Sequence, residues 1–68
     1  MDSKNGIKIT TRDRLLRAWE NSIELVKDFE MYSEEIKEDE KAAKLFAELA
    51  EAEGLHASKL LELLHKYD

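Results

Sequence analysis

The sequence predicts an all-α fold, in which an antiparallel hairpin of two helices pairs with a second copy to form a four-helix bundle. Its 68 residues include no Pro, no Cys and two Gly, so strong helix formers run on almost without interruption. Apolar residues recur at helical spacing in two separate stretches. A chain this short buries too little surface to be stable without a disulfide, a metal or a partner chain. Because there is no Cys, a partner chain, a metal or both are expected.

The first helix is expected over about residues 11–37, after a flexible N-terminal tail of residues 1–10. Thr10 stands three positions before Asp13, which is the pattern of a helix N-cap. The apolar positions that follow keep helical spacing and are Leu15, Trp19, Ile23, Val26, Phe29 and Ile36.

The second helix is expected over about residues 39–67, with Asp39 as its cap. No Gly, Pro or Asn forces a break over residues 33–41, so one continuous helix is the alternative. At about 100° per residue, the two apolar stripes would lie on nearly opposite sides of a continuous helix, whereas a hairpin places both inside. Two helices alone do not enclose a core, and a twofold dimer completes a four-helix bundle.

Composition excludes several functions. The formal net charge is -5, with 16 acidic and 11 basic residues, and no basic patch suits nucleic acid. No run approaches the roughly 20 apolar residues that cross a bilayer, and the first residues lack the apolar core of a signal peptide. A cytoplasmic protein is therefore expected. Nucleophilic catalysis has no candidate arrangement, and no Gly-rich loop is present to hold phosphates.

Glu53 is a carboxylate within the apolar stripe of the second helix, where burial of an unpaired charge costs several kcal/mol. His56 follows one helical turn later on the same face. A carboxylate and an imidazole at this spacing can bind one metal ion, or two ions that the carboxylate bridges. Glu62 and His65 have the same spacing but point into solvent, so the signal is the motif together with its apolar position. The alternative is that Glu53 forms a salt bridge, with Lys27 or Lys59 as partner.

A metal site needs further carboxylates, and the first helix supplies candidates. If the hairpin folds about Glu38, Glu20 comes level with His56 and Glu24 nearly level with Glu53. Glu20 is closer to the apolar stripe, so it is the predicted ligand and Glu24 the second choice.

Glu20, followed 33 positions later by Glu53-x-x-His56 with Phe46-Ala47-Glu48-Leu49-Ala50 leading into it, resembles the ferritin-like di-iron carboxylate superfamily. Rubrerythrins are the most similar pattern, and the half-bundle is similar to the two-helix encapsulated ferritins. The resemblance implies two irons per dimer, with Glu53 bridging them and with His56 and Glu20 as terminal ligands. Manganese or zinc would also suit these ligands.

The resemblance implies ferroxidase or peroxidase activity in a homodimer or higher even oligomer. A Cys-rich electron-transfer module is absent, so an external electron donor would be required. The region about two turns after Glu20 also departs from the family, because Lys27 stands where an aromatic is common. The alternative function is a metal-free helical hairpin dimer that acts as a structural or protein-interaction module, with its acidic surface contacting a basic partner.

Overall fold

The computed structural model describes residues 8–67, which form two long helices packed against each other. Helix α1 spans Thr11–Glu35 and helix α2 spans Glu40–His65. The expected all-α hairpin is confirmed. The expected helices extend up to two residues beyond these bounds, because the chain is already extended at Ile36 (φ -79°, ψ 113°) and still extended at Asp39 (φ -141°, ψ 95°). Most of the predicted tail, residues 1–7, lies outside the described residues.

Both helices begin at the caps that the sequence indicates. The Asp13 amide donates to Thr10 Oγ1 and the Thr10 amide donates to Asp13 Oδ2, each at 3.0 Å, which completes a capping box. The hydrogen bond from the Thr10 amide, with a further contribution from the Thr10 side chain, holds the pKa of the Asp13 carboxyl below its ordinary value. At α2, the Ala42 amide donates to Asp39 Oδ1 at 3.1 Å. The caps satisfy amides that the first turn of a helix leaves unpaired.

The two helices are paired in an antiparallel register about a point between residues 37 and 38. Phe29 stacks on Phe46 with ring centroids 5.9 Å apart, and Ser22 donates a hydrogen bond to Glu53. Both pairs are symmetrical about that point. The expected fold about Glu38 is therefore close to the observed register, and it places residues 20–24 of α1 beside residues 51–55 of α2.

The seam between the helices is narrow. Its most buried residues on α2 are Ala50, Ala57 and Leu64, which lie seven residues apart and are 4–6% exposed, and Ser22 of α1 is 6% exposed. No large side chain among the described residues is fully buried. The apolar stripe of α2 extends well beyond this line, because Leu49 is still 37% exposed. The stripe is thus wider than one helix pair can cover.

The hairpin has two broad faces, because its shortest dimension is 12 Å, about the diameter of one helix. One is the groove face, whose groove is lined by Glu30, Ser33, Glu34, Ala47, Ala50 and Glu51. The opposite one, the apolar face, contains most of the large apolar side chains that remain 37–52% exposed. Its members on the two helices are Leu25, Tyr32, Leu45, Leu49, Leu63 and Tyr67. Neither described helix has a segment long and apolar enough to cross a bilayer.

Candidate functional site

Glu53 is the centre of a small polar cluster at the middle of the seam. Ser22 Oγ, projecting from α1, donates a hydrogen bond of 2.6 Å to Glu53 Oε2. The second carboxylate oxygen, Oε1, lies 3.2 Å from His56 Nδ1 one turn along α2. The Glu53 side chain is 18% exposed. Both carboxylate oxygens therefore have a partner from the protein itself.

The environment of Glu53 favours its charged form. The Ser22 hydroxyl is the main cause that holds the pKa of Glu53 below its ordinary value of 4.5, and His56 acts in the same direction. Partial burial opposes them, because it penalises the carboxylate. The hydrogen bonds outweigh the burial, so Glu53 is an anion at neutral pH and an oxygen ligand ready for a cation.

His56 is at the edge of the cluster and opens onto the apolar face. Its side chain is 62% exposed, which the sequence does not indicate, because the apolar stripe of α2 suggests an inward-facing residue. On α2 it lies midway between Leu49 and Leu63, seven residues from each, and so on the same side of the helix. The imidazole is accessible to a metal ion or to another chain.

The single chain does not bring Glu20 to this cluster. Glu20 is exposed and lies about 160° from Ser22 around α1, on the side of the helix that faces away from α2. His56 lies about 140° around α2 from Glu51, which lines the groove, so it projects toward the apolar face. Glu24 is also exposed. A Glu20 or Glu24 carboxylate that joined the Glu53–His56 pair would have to come from another chain, and its role as a ligand stays a prediction.

The geometry of the pair fits one half of a metal site. Ligand atoms about 2.0–2.2 Å from one ion lie roughly 2.8–3.1 Å apart when they are adjacent in octahedral coordination and roughly 3.3–3.6 Å apart in tetrahedral coordination. The observed separation of Glu53 Oε1 and His56 Nδ1, 3.2 Å, lies between these two ranges, so a small side-chain movement would place both atoms on one ion. Within residues 8–67 of one chain, no three or more His, Asp or Glu side chains are grouped to hold a metal ion. Two copies of the pair would supply four ligands.

Ser22 is the member of the site that the sequence reasoning missed. The sequence does contain a signal for Ser22, because this residue lies seven positions after Leu15 and seven before Phe29, in the heptad pattern of the seam. A short polar residue in such a position invites a search for a polar partner on the opposite helix. Lys27 and Lys59, proposed from sequence as partners of Glu53, are not the groups that contact it.

The second Glu-x-x-His of the chain is a useful comparison. Glu62 and His65 are both exposed, whereas Glu53 is largely covered and is tied to α1 by the Ser22 hydroxyl. The two pairs share their spacing and differ in surroundings. Only the first one combines a covered carboxylate with an accessible imidazole.

Comparison of the chain with protein-family models, curated proteins and solved structures found no match.

Proposed function

We propose that the protein binds divalent iron or manganese in a homodimer, with one metal ion for each Glu53–His56 pair. The observation that carries the proposal is the pairing of a charged, largely covered carboxylate with an accessible imidazole 3.2 Å away, a distance close to that between adjacent ligands of one ion. Carboxylate and imidazole donors without a thiolate suit iron, manganese or zinc. The dimer would bring two pairs together and complete the coordination.

The metal and the dimer would stabilise each other in this assembly. Two Glu53 carboxylates that approach across an interface repel each other, and bound cations offset this repulsion. Binding to the assembled form alone stabilises it by mass action. Metal loading should therefore raise both the melting temperature and the dimer fraction.

The proposed chemistry is redox chemistry of ferroxidase or peroxidase type. Bound iron would supply the electrons that reduce peroxide or dioxygen, and an external donor would return it to Fe(II). The chain's own contribution is electrostatic and positional. Ser22 holds Glu53 in place and keeps it ionised, and His56 would add a nitrogen ligand beside it.

The decisive experiment is elemental analysis of protein purified without a chelator, with its mass measured by light scattering. The wild type is compared with Glu53→Ala and with Glu62→Ala, the matched control in the exposed Glu-x-x-His. We expect about one iron or manganese per chain in the wild type and in Glu62→Ala, and a loss in Glu53→Ala. Equal metal content in all three proteins would overturn the site. Glu20→Ala and Glu24→Ala then test the third ligand.

A metal-free hairpin dimer that acts as a structural or interaction module is the second candidate. The Ser22–Glu53 hydrogen bond favours it, because that bond accounts for a covered carboxylate without a metal. Its acidic groove face, with Glu30, Glu34 and Glu51 along one groove, would suit a basic partner. A dimer that cannot be loaded with Fe(II) and whose melting temperature is unchanged by a chelator would favour this function over metal binding.

A further inference from the structure

The exposed side chains of α2 on the apolar face are arranged symmetrically along the helix. Leu49 and Leu63 lie seven residues before and after His56, and Leu45 and Tyr67 lie eleven residues before and after it. At about 100° per residue, Leu45, Leu49, His56 and Leu63 fall within an arc of about 40°, and Tyr67 lies in the turn that follows the end of α2 at His65. Each is exposed, from 37% at Leu49 to 62% at the His56 side chain. The spacing of the large exposed side chains is therefore the same in both directions from His56.

A stripe of this kind is complementary to its own copy when the copy runs antiparallel. An isologous interface pairs residue i with residue j and residue j with residue i. With a twofold axis at His56, Leu49 of one chain meets Leu63 of the other, and Leu45 meets Tyr67. The two His56 side chains meet at the axis. The contact would follow the helix for about 33 Å, from Leu45 to Tyr67.

Charge complementarity supports the same pairing. Glu48 and Lys66 are exposed and lie at the same angle around α2, along the edge of the stripe. Antiparallel pairing about His56 brings Glu48 of each copy within two residues of the level of Lys66 of the other. A parallel pairing would instead place Glu48 beside Glu48 and Lys66 beside Lys66, which is repulsive.

Helix α1 can close the same assembly. Leu25 and Tyr32 lie seven residues apart on the apolar face and are each 40% exposed. When the two hairpins stack through this face, α2 of one copy faces α2 of the other, and α1 faces α1 beside them. The result is a four-helix bundle in which Glu53 points toward the centre.

We propose that a second copy of this chain docks antiparallel on the apolar face, with α2 against α2 and the twofold axis at His56. This rests on the homodimer of the proposed function and specifies its geometry. It places the two Glu53–His56 pairs next to each other across the axis. It leaves Glu20 on the outer side of α1, away from the axis, so the ligands are supplied by Glu53 and His56 of both chains.

Cysteine cross-linking tests this geometry directly, because the chain has no Cys of its own. Leu49→Cys and Leu63→Cys chains are mixed, unfolded together, refolded and treated with a short bis-maleimide linker. We expect cross-linked dimer from the mixture and none from either variant alone, because identical positions lie about 21 Å apart along the antiparallel pair. Ala47→Cys, exposed on the groove face about 180° around α2 from His56, is the control and should not cross-link with Leu63→Cys.

The outcomes separate this geometry from metal binding. Cross-linking of Leu49→Cys with itself, or no cross-linking in any mixture, overturns the antiparallel docking, whatever the metal content. The expected cross-links in a protein that takes up no metal support the docking and refute the metal site. As a second measurement, Leu49→Asp should convert the dimer to monomer in light scattering, and Ala47→Asp, on the groove face, should leave it a dimer. Loss of the dimer in both variants would also contradict the docking.

Discussion

The two halves of the α1–α2 seam are built differently. Near the turn the contacts are aromatic, with Phe46 stacked on Phe29 and in edge contact with Tyr32 at a centroid distance of 5.3 Å. Farther from the turn, the central contact is the hydrogen bond from Ser22 to the Glu53 carboxylate. Apolar burial is non-directional, whereas a hydrogen bond between one hydroxyl and one carboxylate requires a definite register.

The comparison suggests a division of roles along one seam. The aromatic half brings together the large rings of Phe29, Tyr32 and Phe46. The polar half, which also includes the buried Ala57 and Leu64, fixes which residues face each other, as buried polar groups do in some helical assemblies. It also presents a charged group beside an accessible imidazole. The candidate metal ligands are thus in the half whose central contact requires a definite register.

The largest effect is expected from Phe46→Ala in the aromatic half. Phe46 contacts both Phe29 and Tyr32, so its truncation removes the main aromatic contact between the helices. Because Phe46 is half-buried, we expect a loss of about 2–3 kcal/mol in the free energy of unfolding, below the range for a fully buried Phe. Urea denaturation followed by circular dichroism measures it. Leu55→Ala, at a 66% exposed apolar position, is the control and should change stability by less than about 0.5 kcal/mol.

Replacing the polar pair by apolar residues should make the two halves alike. The double variant Ser22→Ala/Glu53→Leu removes a partly buried charge together with its partner, and such replacements are often neutral or stabilising. We expect a gain of about 1–2 kcal/mol in the free energy of unfolding, measured by urea denaturation in chelator. Without chelator, the variant should take up no metal. A large loss of stability would show that the polar cluster, and not the aromatic one, holds the hairpin together.

Ser22→Ala alone should destabilise the protein in a pH-dependent way. The Ser22 hydroxyl is the main cause of the lowered pKa of Glu53, and its removal should cost about 1 kcal/mol at pH 7. A lowered pKa contributes stability above the ordinary value of 4.5, and this contribution is lost as the pH falls through the folded-state pKa. The difference between wild type and variant, measured by urea denaturation in chelator, should therefore shrink from pH 7 to about pH 3. A difference that does not depend on pH would contradict this account.

The smallest effect is expected from Ser33→Ala, which is the matched control for Ser22. Ser33 Oγ donates to the Ala43 carbonyl oxygen at 2.8 Å, so its acceptor is neutral. We expect Ser33→Ala to lower the free energy of unfolding, measured by urea denaturation, by about 0.5–1 kcal/mol. This loss should be the same at pH 7 and at acid pH. If Ser33→Ala were as costly and as pH-dependent as Ser22→Ala, the charge on Glu53 would not be what distinguishes the two halves.

Local patterns in the sequence were sufficient to predict the helices and their caps. The hydroxyl of Thr10 three residues before Asp13, and the acid at Asp39, act within a single turn, so their partners are known from spacing alone. The hairpin also followed from spacing, because only a reversal places both apolar stripes inside. The C-terminal ends of the helices, at Glu35 and His65, were less predictable, because no Gly or Pro marks them.

The candidate site was predictable only in part. Glu53 stood out as a carboxylate in an apolar stripe, and its proximity to His56 follows from helical geometry. The contact with Ser22 spans 31 positions and depends on how the two helices are rotated about their axes. The same rotation separates Glu20 from His56. The sequence predicts that the two residues lie at the same height along the hairpin, but it does not predict in which direction each side chain points.

The sequence by itself therefore determined what is local: two capped helices, the reversal between them and the Glu53–His56 pair. Only the tertiary structure decided which side of each helix enters the seam. Small residues at Ala50 and Ala57 let the helices approach along one narrow line, and Ser22 meets Glu53 on that line. The rest of the apolar stripe remains on the apolar face, because a single layer of two helices has no third element to cover it.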